Sequence, residues 1–307
     1  VKIRSLLEYA WYKFFTPDVH DYVSMGMGIE YRYEKLRPWW ANHLEASCSL
    51  QREALTLLGS PADLEITILG SGRLYDVDPA VFNKSSIIHL FDYDPRSIEY
   101  CRRRFADRSA LYLHCEDITG SMNEWTARLQ EVAKSKSDAL VVDVIGGLQG
   151  APPEITGNLV VSLNILGQLG IYWMDRAEKV LESRITEQVE RALHASLERL
   201  ELEHIEMLSA SGATVIVIIT DERYHFYGEE TASVEALTRP LDSLVASCPA
   251  FSEKYQRFSK RTWAWHVLPW GHENRKWDEL PSIHEVTGEV FVRSDLVAVL
   301  KDRQGLV

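Results

Sequence analysis

From Val1 to about Ser60 the chain is rich in aromatic and helix-compatible residues. Pro17 and Pro38 divide this stretch into pieces, the last of which, Trp39–Leu58, reads as an amphipathic helix. After Gly59-Ser60-Pro61 the pattern changes to short β-branched runs separated by helical stretches, the mark of strands and helices around a mainly parallel sheet. Strands are predicted over Leu64–Leu69, Ile87–Phe91 and Leu111–Cys115, with helices over roughly Arg96–Phe105 and Ser121–Lys134. The fourth strand falls at Leu159–Leu163, while the equally apolar Ala139–Ile145 is compatible with helix or an extra strand. One long helix over about Arg176–Leu208 leads into Ala213–Ile219, whose unbroken apolar run reads as a strand buried on both faces. A helical stretch near Val234–Ser247 precedes two further strands, Thr262–Leu268 and Glu285–Val292, which leave no room for a helix between them and should pair antiparallel.

The expectation is therefore an α/β, Rossmann-like, mainly parallel sheet with an antiparallel last strand. A helical N-terminal segment (residues 1–60) precedes the α/β domain (residues 61–307). Composition changes this picture little: 46% hydrophobic and 25% charged residues are ordinary globular values. The formal charge of −12 opposes bulk nucleic-acid binding, and the basic run Arg102-Arg103-Arg104 falls where a helix would carry it on a solvated face. Four scattered cysteines suggest reduced thiols rather than a disulfide framework or zinc site. No apolar run reaches the roughly 18 to 20 residues needed to span a bilayer and no cleavage signal is recognisable, so the expected location is cytoplasmic.

In open parallel sheets ligands sit beyond the carboxyl ends of the strands. The first strand is followed by Gly70-Ser71-Gly72, where glycines allow a sharp turn and close approach of a ligand to the main chain. The second ends in Asp92-Tyr93-Asp94-Pro95. Asp92 stands about 20 residues past the glycines, the distance at which an acid meets ribose hydroxyls, while Asp94-Pro95 reads as a helix N-cap with proline at the first helical position. After the third strand, Asp117-Ile118 offers a carboxylate to an adenine amino group, or a cap to the following turn.

The succession Ile68-Leu69-Gly70-Ser71-Gly72, Phe91-Asp92-Tyr93-Asp94-Pro95 and Cys115-Glu116-Asp117 resembles the first three motifs of the class I S-adenosylmethionine-dependent methyltransferase superfamily. The resemblance spans about Leu64–Val292. It implies S-adenosyl-L-methionine as cofactor, with Gly70 and Gly72 packed against its methionine part, Asp92 on the ribose and Asp117 near the adenine. The chain departs from the pattern at Ile68, where many members have an acid, and at Arg73-Leu74-Tyr75, where a third glycine is common. Tyr75 at that position also counts against a nicotinamide dehydrogenase.

At the end of the fourth strand, Asn164 is the leading candidate for the reactive centre and Ser162 the second, with Gln168 one turn on as a substrate contact. Asn164 could equally cap the next helix. Methyl transfer from a sulfonium needs chiefly an aligned nucleophile and exclusion of water. In the N-terminal segment Tyr31, Arg32, Arg37 and Trp40 are candidate substrate contacts on a lid, and His43 a candidate base. The alternative is that the tryptophans only pack this segment onto the sheet. Trp263, Trp265, His266, Trp270 and His272 form a second aromatic cluster, with Trp263 and Trp265 expected in the core, and no metal site is predicted. The partner expected is a small-molecule acceptor. A protein substrate, an aminopropyltransferase-like activity and a catalytically silent binding domain are the alternatives, and the oligomeric state is not readable.

Overall fold

The N-terminal segment folds as one helix, α1 (Pro17–Leu58), and not in pieces, with Pro38 inside it. An internal proline removes one backbone bond and crowds the preceding turn, at a cost of about 3 kcal/mol. Packing on both sides offsets it. Leu36 and Trp40 bury against Leu268, and further along Leu50, Ala54 and Leu55 share a core with Ile66, Ile68, Val161 and Val290 of the sheet. Gly59, at φ 75°, ends the helix in the left-handed conformation that favours glycine.

The computed structural model describes residues 17–59, 63–135, 137–147, 149–227, 232–236, 238–269, 272 and 281–299. Residues 1–16 and Trp270 of the expected aromatic cluster lie outside them. The strands are β1 (Glu65–Leu69), β2 (Ile87–Asp92), β3 (Leu111–Cys115), β4 (Leu159–Leu163), β5 (Val215–Tyr227), β6 (Ala232–Ala236), β7 (Tyr255–Leu268) and β8 (Ser282–Arg293). Their order is β3-β2-β1-β4-β5-β8-β7, with β6 added to β5. The first five pair in parallel, and β5–β8, β8–β7 and β5–β6 are antiparallel. The Rossmann-like α/β sheet with an antiparallel end is thus present. Alternation along the buried strands sends Val160, Ile216 and Ile218 to one face and Val161, Val217 and Ile219 to the other, so each face carries its own core.

The remaining helices are α2 (Pro79–Lys84), α3 (Pro95–Arg104), α4 (Met122–Ala133), α5 (Asp138–Gly146), α6 (Ile165–Leu181), α7 (Glu187–Ala210), α8 (Leu241–Ala246) and α9 (Pro249–Lys254). The ambiguous run Ala139–Ile145 is helix. Its buried residues Val141, Val144 and Ile145 have helical spacing, Ser137 caps it at Leu140 N–H, and β4 already has a partner on each edge. The single long helix expected over Arg176–Leu208 is two. A short 3-10 turn over Glu182–Arg184, with Glu182 at φ 51°, separates α6 from α7, and Thr186 caps the latter through Val189 N–H. The helix expected from Val234 is instead β6 followed by α8. β5 outruns its parallel partner β4, and the edge left open beyond β4 supplies backbone groups for a further strand.

One irregularity positions the site. Between Asp221 and Arg223 the register of β5 on β8 slips by a residue. Side chains on a strand alternate faces, so a bulge at Glu222 places Asp221, Tyr224 and Phe226 on the same side, toward α1. No helix among the described residues is long and apolar enough to cross a membrane. All four cysteines are free: Cys101 and Cys248 are buried, Cys48 is partly so and Cys115 is exposed.

Candidate active site

At the carboxyl end of β1 the chain turns through Gly70 (φ 72°) and Gly72 (φ 48°). A Cβ on Gly70 would lie 2.6 Å from the Leu163 carbonyl oxygen, so only glycine fits this left-handed, crowded position. The turn is tied to β2: the N–H groups of Gly70 and Ser71 both donate to the Phe91 carbonyl at 3.0 Å, and Gly72 N–H donates to Asp92 Oδ2 at 2.6 Å. Asp92 Oδ1 accepts from Asp94 N–H at 2.8 Å. Burial, with Asp94 and Asp76 nearby, pushes the Asp92 carboxyl up to about 7 despite these two bonds. Asp94 is the N-cap of α3, accepting from Arg96 N–H, with Pro95 at the first helical position as expected.

Next to Asp92 the cleft narrows to an apolar slot lined by Phe91, Tyr93, Ile118, Met122, Leu169 and Trp173. Asp117 borders it, but its carboxylate already accepts from the N–H groups of Thr119, Ser121 and Met122 and from the Thr119 hydroxyl. Its first task is to shape the turn into α4. Tyr93 donates its hydroxyl to Asn123 Oδ1 at 3.0 Å.

Beyond β4 two polar residues part company. Ser162 is fully buried on the α7 side, its hydroxyl 2.9 Å from His204 Nε2, and borders none of the three cavities along the cleft. The structure therefore removes it from the reactive centre. Asn164, two residues on, sits at φ 52° and faces the cleft. It starts α6 without a side-chain cap bond. Nδ2 donates to Asp76 Oδ2 at 3.2 Å, and Oδ1 is buried without a protein partner. Burial pushes the Asp76 carboxyl up to about 6, with the Asp221 charge adding to it.

Helix α1 covers this cleft. A Cβ on Gly26 would fall 2.3 Å from Asp94 Oδ2, which shows how closely the helix crosses the end of β2. Glu30 pairs with Arg73 at 2.5 Å and Arg96 at 3.0 Å, and Tyr22 stacks on Tyr172 at 3.7 Å between ring centroids. On the other side Trp40 donates to the Val267 carbonyl at 3.3 Å, while His43 stacks on Trp265 at 4.0 Å. His43 Nδ1 accepts from Trp263 Nε1 at 3.1 Å, and burial holds the ring neutral, its pKa brought down to about 4. With Nδ1 so engaged, the neutral tautomer assigned by this bond carries its proton on Nε2, a donor position and not a basic one. Of the expected substrate contacts, Arg32, Trp40 and Gln168 line the cleft. Tyr31, 45% exposed, and Arg37, which lies over the Tyr33 ring, face solvent.

A further cavity opens between α1 and the β5–β8–β7 end of the sheet, lined by Ile29, Arg32, Tyr224, Phe226, Trp265 and His284 among others. At its inner wall His284 Nδ1 lies 3.0 Å from Asp221 Oδ2, both side chains are buried, and Asp221 Oδ1 has no protein partner. Burial lowers the His284 pKa, opposed by the Asp221 carboxylate. Gln168 borders all three cavities, which therefore adjoin one another along the strand ends.

A sheet ordered 3-2-1-4-5 and closed by two antiparallel strands, with its cleft at the carboxyl ends and a glycine turn after the first strand, decides the architecture. This is a Rossmann-like α/β fold. No family model and no curated protein matches the chain. Among solved structures it is similar to the N-methyltransferase NodS from Bradyrhizobium japonicum in complex with S-adenosyl-L-homocysteine, with 10% identity, 81% of this chain and 86% of that one covered, and a TM-score of 0.39. It is also similar to magnesium protoporphyrin IX methyltransferase (ChlM) from Synechocystis PCC 6803 with bound SAM, at 8% identity, 83% and 81% coverage and a TM-score of 0.36. An S-adenosylmethionine-dependent methyltransferase from Clostridium acetobutylicum matches at 8% identity, 85% and 96% coverage and a TM-score of 0.41.

Sequence reasoning missed Asp76, Asp221 and His284. Asp76 follows the glycine turn closely and a search for carboxylates there would have found it. Asp221 and His284 meet only through the β5–β8 register, 63 residues apart in sequence. The one available signal was Asp221 closing the apolar run of β5.

Proposed function

We propose that the chain is an S-adenosyl-L-methionine-dependent methyltransferase with a small-molecule acceptor. The observation that carries this is the continuity of the cleft. An apolar slot, a glycine-lined middle and a cavity with a polar inner wall lie in sequence, all bordered by Gln168. The residues suit that cofactor. The slot at Phe91, Tyr93 and Ile118 takes a flat adenine, and Asp92 retains lone pairs for ribose hydroxyls. The partnerless Asn164 Oδ1 and the Asp76 carboxylate would receive the cofactor's ammonium group, supplying the acid that Ile68 does not. Ser71 and Gly72 bring the main chain to the same point.

When bound, such a cofactor supplies an electrophilic methyl group on sulfur. The chain's part is to align an acceptor and keep water out. Trp40, Trp265 and the neutral His43 wall the middle of the cleft, with His43 Nε2–H as a donor for orientation. Gln168 offers an amide to the acceptor. Enclosure beneath α1 favours a small molecule over a peptide chain.

Calorimetry with S-adenosylmethionine, S-adenosylhomocysteine and NAD tests this reading. Binding of the first two and not of NAD is expected, and Asp92→Ala should weaken it at least tenfold. Folded protein that binds neither sulfur compound overturns the proposal.

A further inference from the structure

Asp221 and His284 lie outside the proposed cofactor contacts, yet they form a built polar wall in the cavity between α1 and β5. His284 Nδ1 is 3.0 Å from Asp221 Oδ2, and its ring stacks on Tyr224 at 3.7 Å and meets Trp265 edge-on at 5.3 Å. Trp265 borders both this cavity and the middle of the cleft, so the pair stands beside the place where an acceptor would meet a methyl group. We propose that His284, oriented by Asp221, is the general base of this site and that its substrate is a flat aromatic compound bearing a hydroxyl group. The inference rests on the methyltransferase reading above.

A bond from Nδ1–H to the carboxylate fixes the imidazole tautomer that leaves the Nε2 lone pair available, and stabilises the imidazolium once a proton arrives. The acceptor's O–H bond breaks and its proton goes to His284 Nε2, while the electron pair stays on oxygen. That oxygen forms a bond to the methyl carbon as the carbon–sulfur bond breaks toward sulfur. Arg32, Asp175 and Asp221 are the charged groups that line the cavity, and the Arg32 guanidinium, whose field reaches both His284 and Tyr224, is placed to stabilise a nascent phenolate. Trp265, Tyr224 and Phe226 give apolar faces for a ring. Asp221 Oδ1, buried and unpartnered, asks for a hydrogen-bond donor.

The charged and titratable groups facing His284 are Asp221 and Tyr224 from β5 and Arg32 and His43 from α1. Because burial lowers its pKa, the base is neutral at pH 7, and the rate should fall only as pH drops below the ordinary imidazole range.

The test uses the full chain with S-adenosylmethionine labelled in its methyl group and three probes: catechol, 4-nitrophenol and phenethylamine. Methylation of the two phenols on oxygen, and not of the amine, is expected. His284→Gln should slow catechol turnover about 100-fold at neutral pH. The more acidic 4-nitrophenol, which ionises without help, should lose less than about tenfold. The variant's catechol rate should recover as pH rises, calorimetric binding of catechol in the presence of S-adenosylhomocysteine should weaken, and affinity for S-adenosylhomocysteine alone should be unchanged. Asp221→Asn should shift the acid limb of the pH profile. Equal losses on both phenols, preference for the amine, or no phenol methylated by protein that binds cofactor would each overturn the inference and leave the methyltransferase reading standing. Protein that does not bind the cofactor brings down both.

Discussion

The two ends of the cleft are built by opposite means. Around β1 and β2 the main chain does the holding: Gly70, Ser71 and Gly72 donate N–H groups to the end of β2, and a Cβ on Gly70 has no space. Around β5, β7 and β8 the site consists of side chains, with a histidine on a carboxylate, stacked rings, and a strand bulge that turns them the same way. A wall of backbone tolerates almost no added atom but is indifferent to most side-chain exchange. A wall of side chains can be re-cut one residue at a time. On one fold, the first suits an invariant ligand and the second a ligand that differs between relatives.

The largest test of this contrast is Gly70→Ala. The new methyl meets the Leu163 carbonyl, and φ stays in a region L-residues avoid. Unfolding by denaturant should show a loss of about 2–4 kcal/mol, and calorimetry a fall of at least about 100-fold in cofactor affinity. Wild-type affinity in this variant would mean that the turn does not touch ligand.

Acid should separate the groups next. His43 and His204 are buried with pKa values of about 4, so the folded chain resists protons that the unfolded chain accepts. Their contribution is complete above about pH 6.5 and is lost as pH falls toward 4, by up to about 3 kcal/mol each. Asp76 and Asp92 act in reverse. Their folded values are raised to about 6 and 7, so stability is full below the ordinary carboxylate range and declines as pH rises through those values. Asp76→Asn should accordingly stabilise the ligand-free protein at neutral pH by about 1 kcal/mol, roughly 2–4 °C in melting temperature, while weakening cofactor binding.

Ser162 and Asn164 give a smaller but cleaner crossover. Ser162→Ala strands the buried His204 Nε2 and should cost about 1–3 kcal/mol with cofactor affinity unchanged. Asn164→Ala removes a group with no cap bond and one long partner but leaves alanine at φ 52°, where asparagine is better tolerated, so stability should fall by only about 0.5–1 kcal/mol while affinity falls about tenfold, or about 1.4 kcal/mol. If both variants behave alike, the division of β4 into a core side and a cleft side fails.

Legibility in the sequence follows the same contrast. The parallel half could be read because each strand end carries its chemistry within a few residues: Gly70, Asp92 and Asp94 lie where the pattern put them, and the Asp94-Pro95 cap formed as expected. Ser162 misled because a short strand buried on both faces gives no signal of which polar residue points outward. Pro38 misled because tertiary packing outweighed a local rule. The inner wall of the cavity between α1 and β5 was illegible. Asp221 and His284 are joined by register, and a one-residue bulge reverses which side chains face inward, so neither spacing nor periodicity reports the pair.

The smallest effect concerns α1, where four neighbouring polar or aromatic residues looked equivalent as substrate contacts. Helix geometry divides them. Arg32 and Trp40 turn toward the sheet, whereas Tyr31 and Arg37 face solvent. Tyr31→Ala and Arg37→Ala should change stability by less than about 0.5 kcal/mol and leave cofactor affinity and methylation rates at wild-type levels. Arg32→Ala, a single position away from Tyr31, should raise the acceptor KM several-fold without touching cofactor affinity. Parallel titration and rate measurements on the three variants decide whether α1 acts through one face. An equal loss in all three would mean that the whole helix, and not its inward stripe, recognises the acceptor.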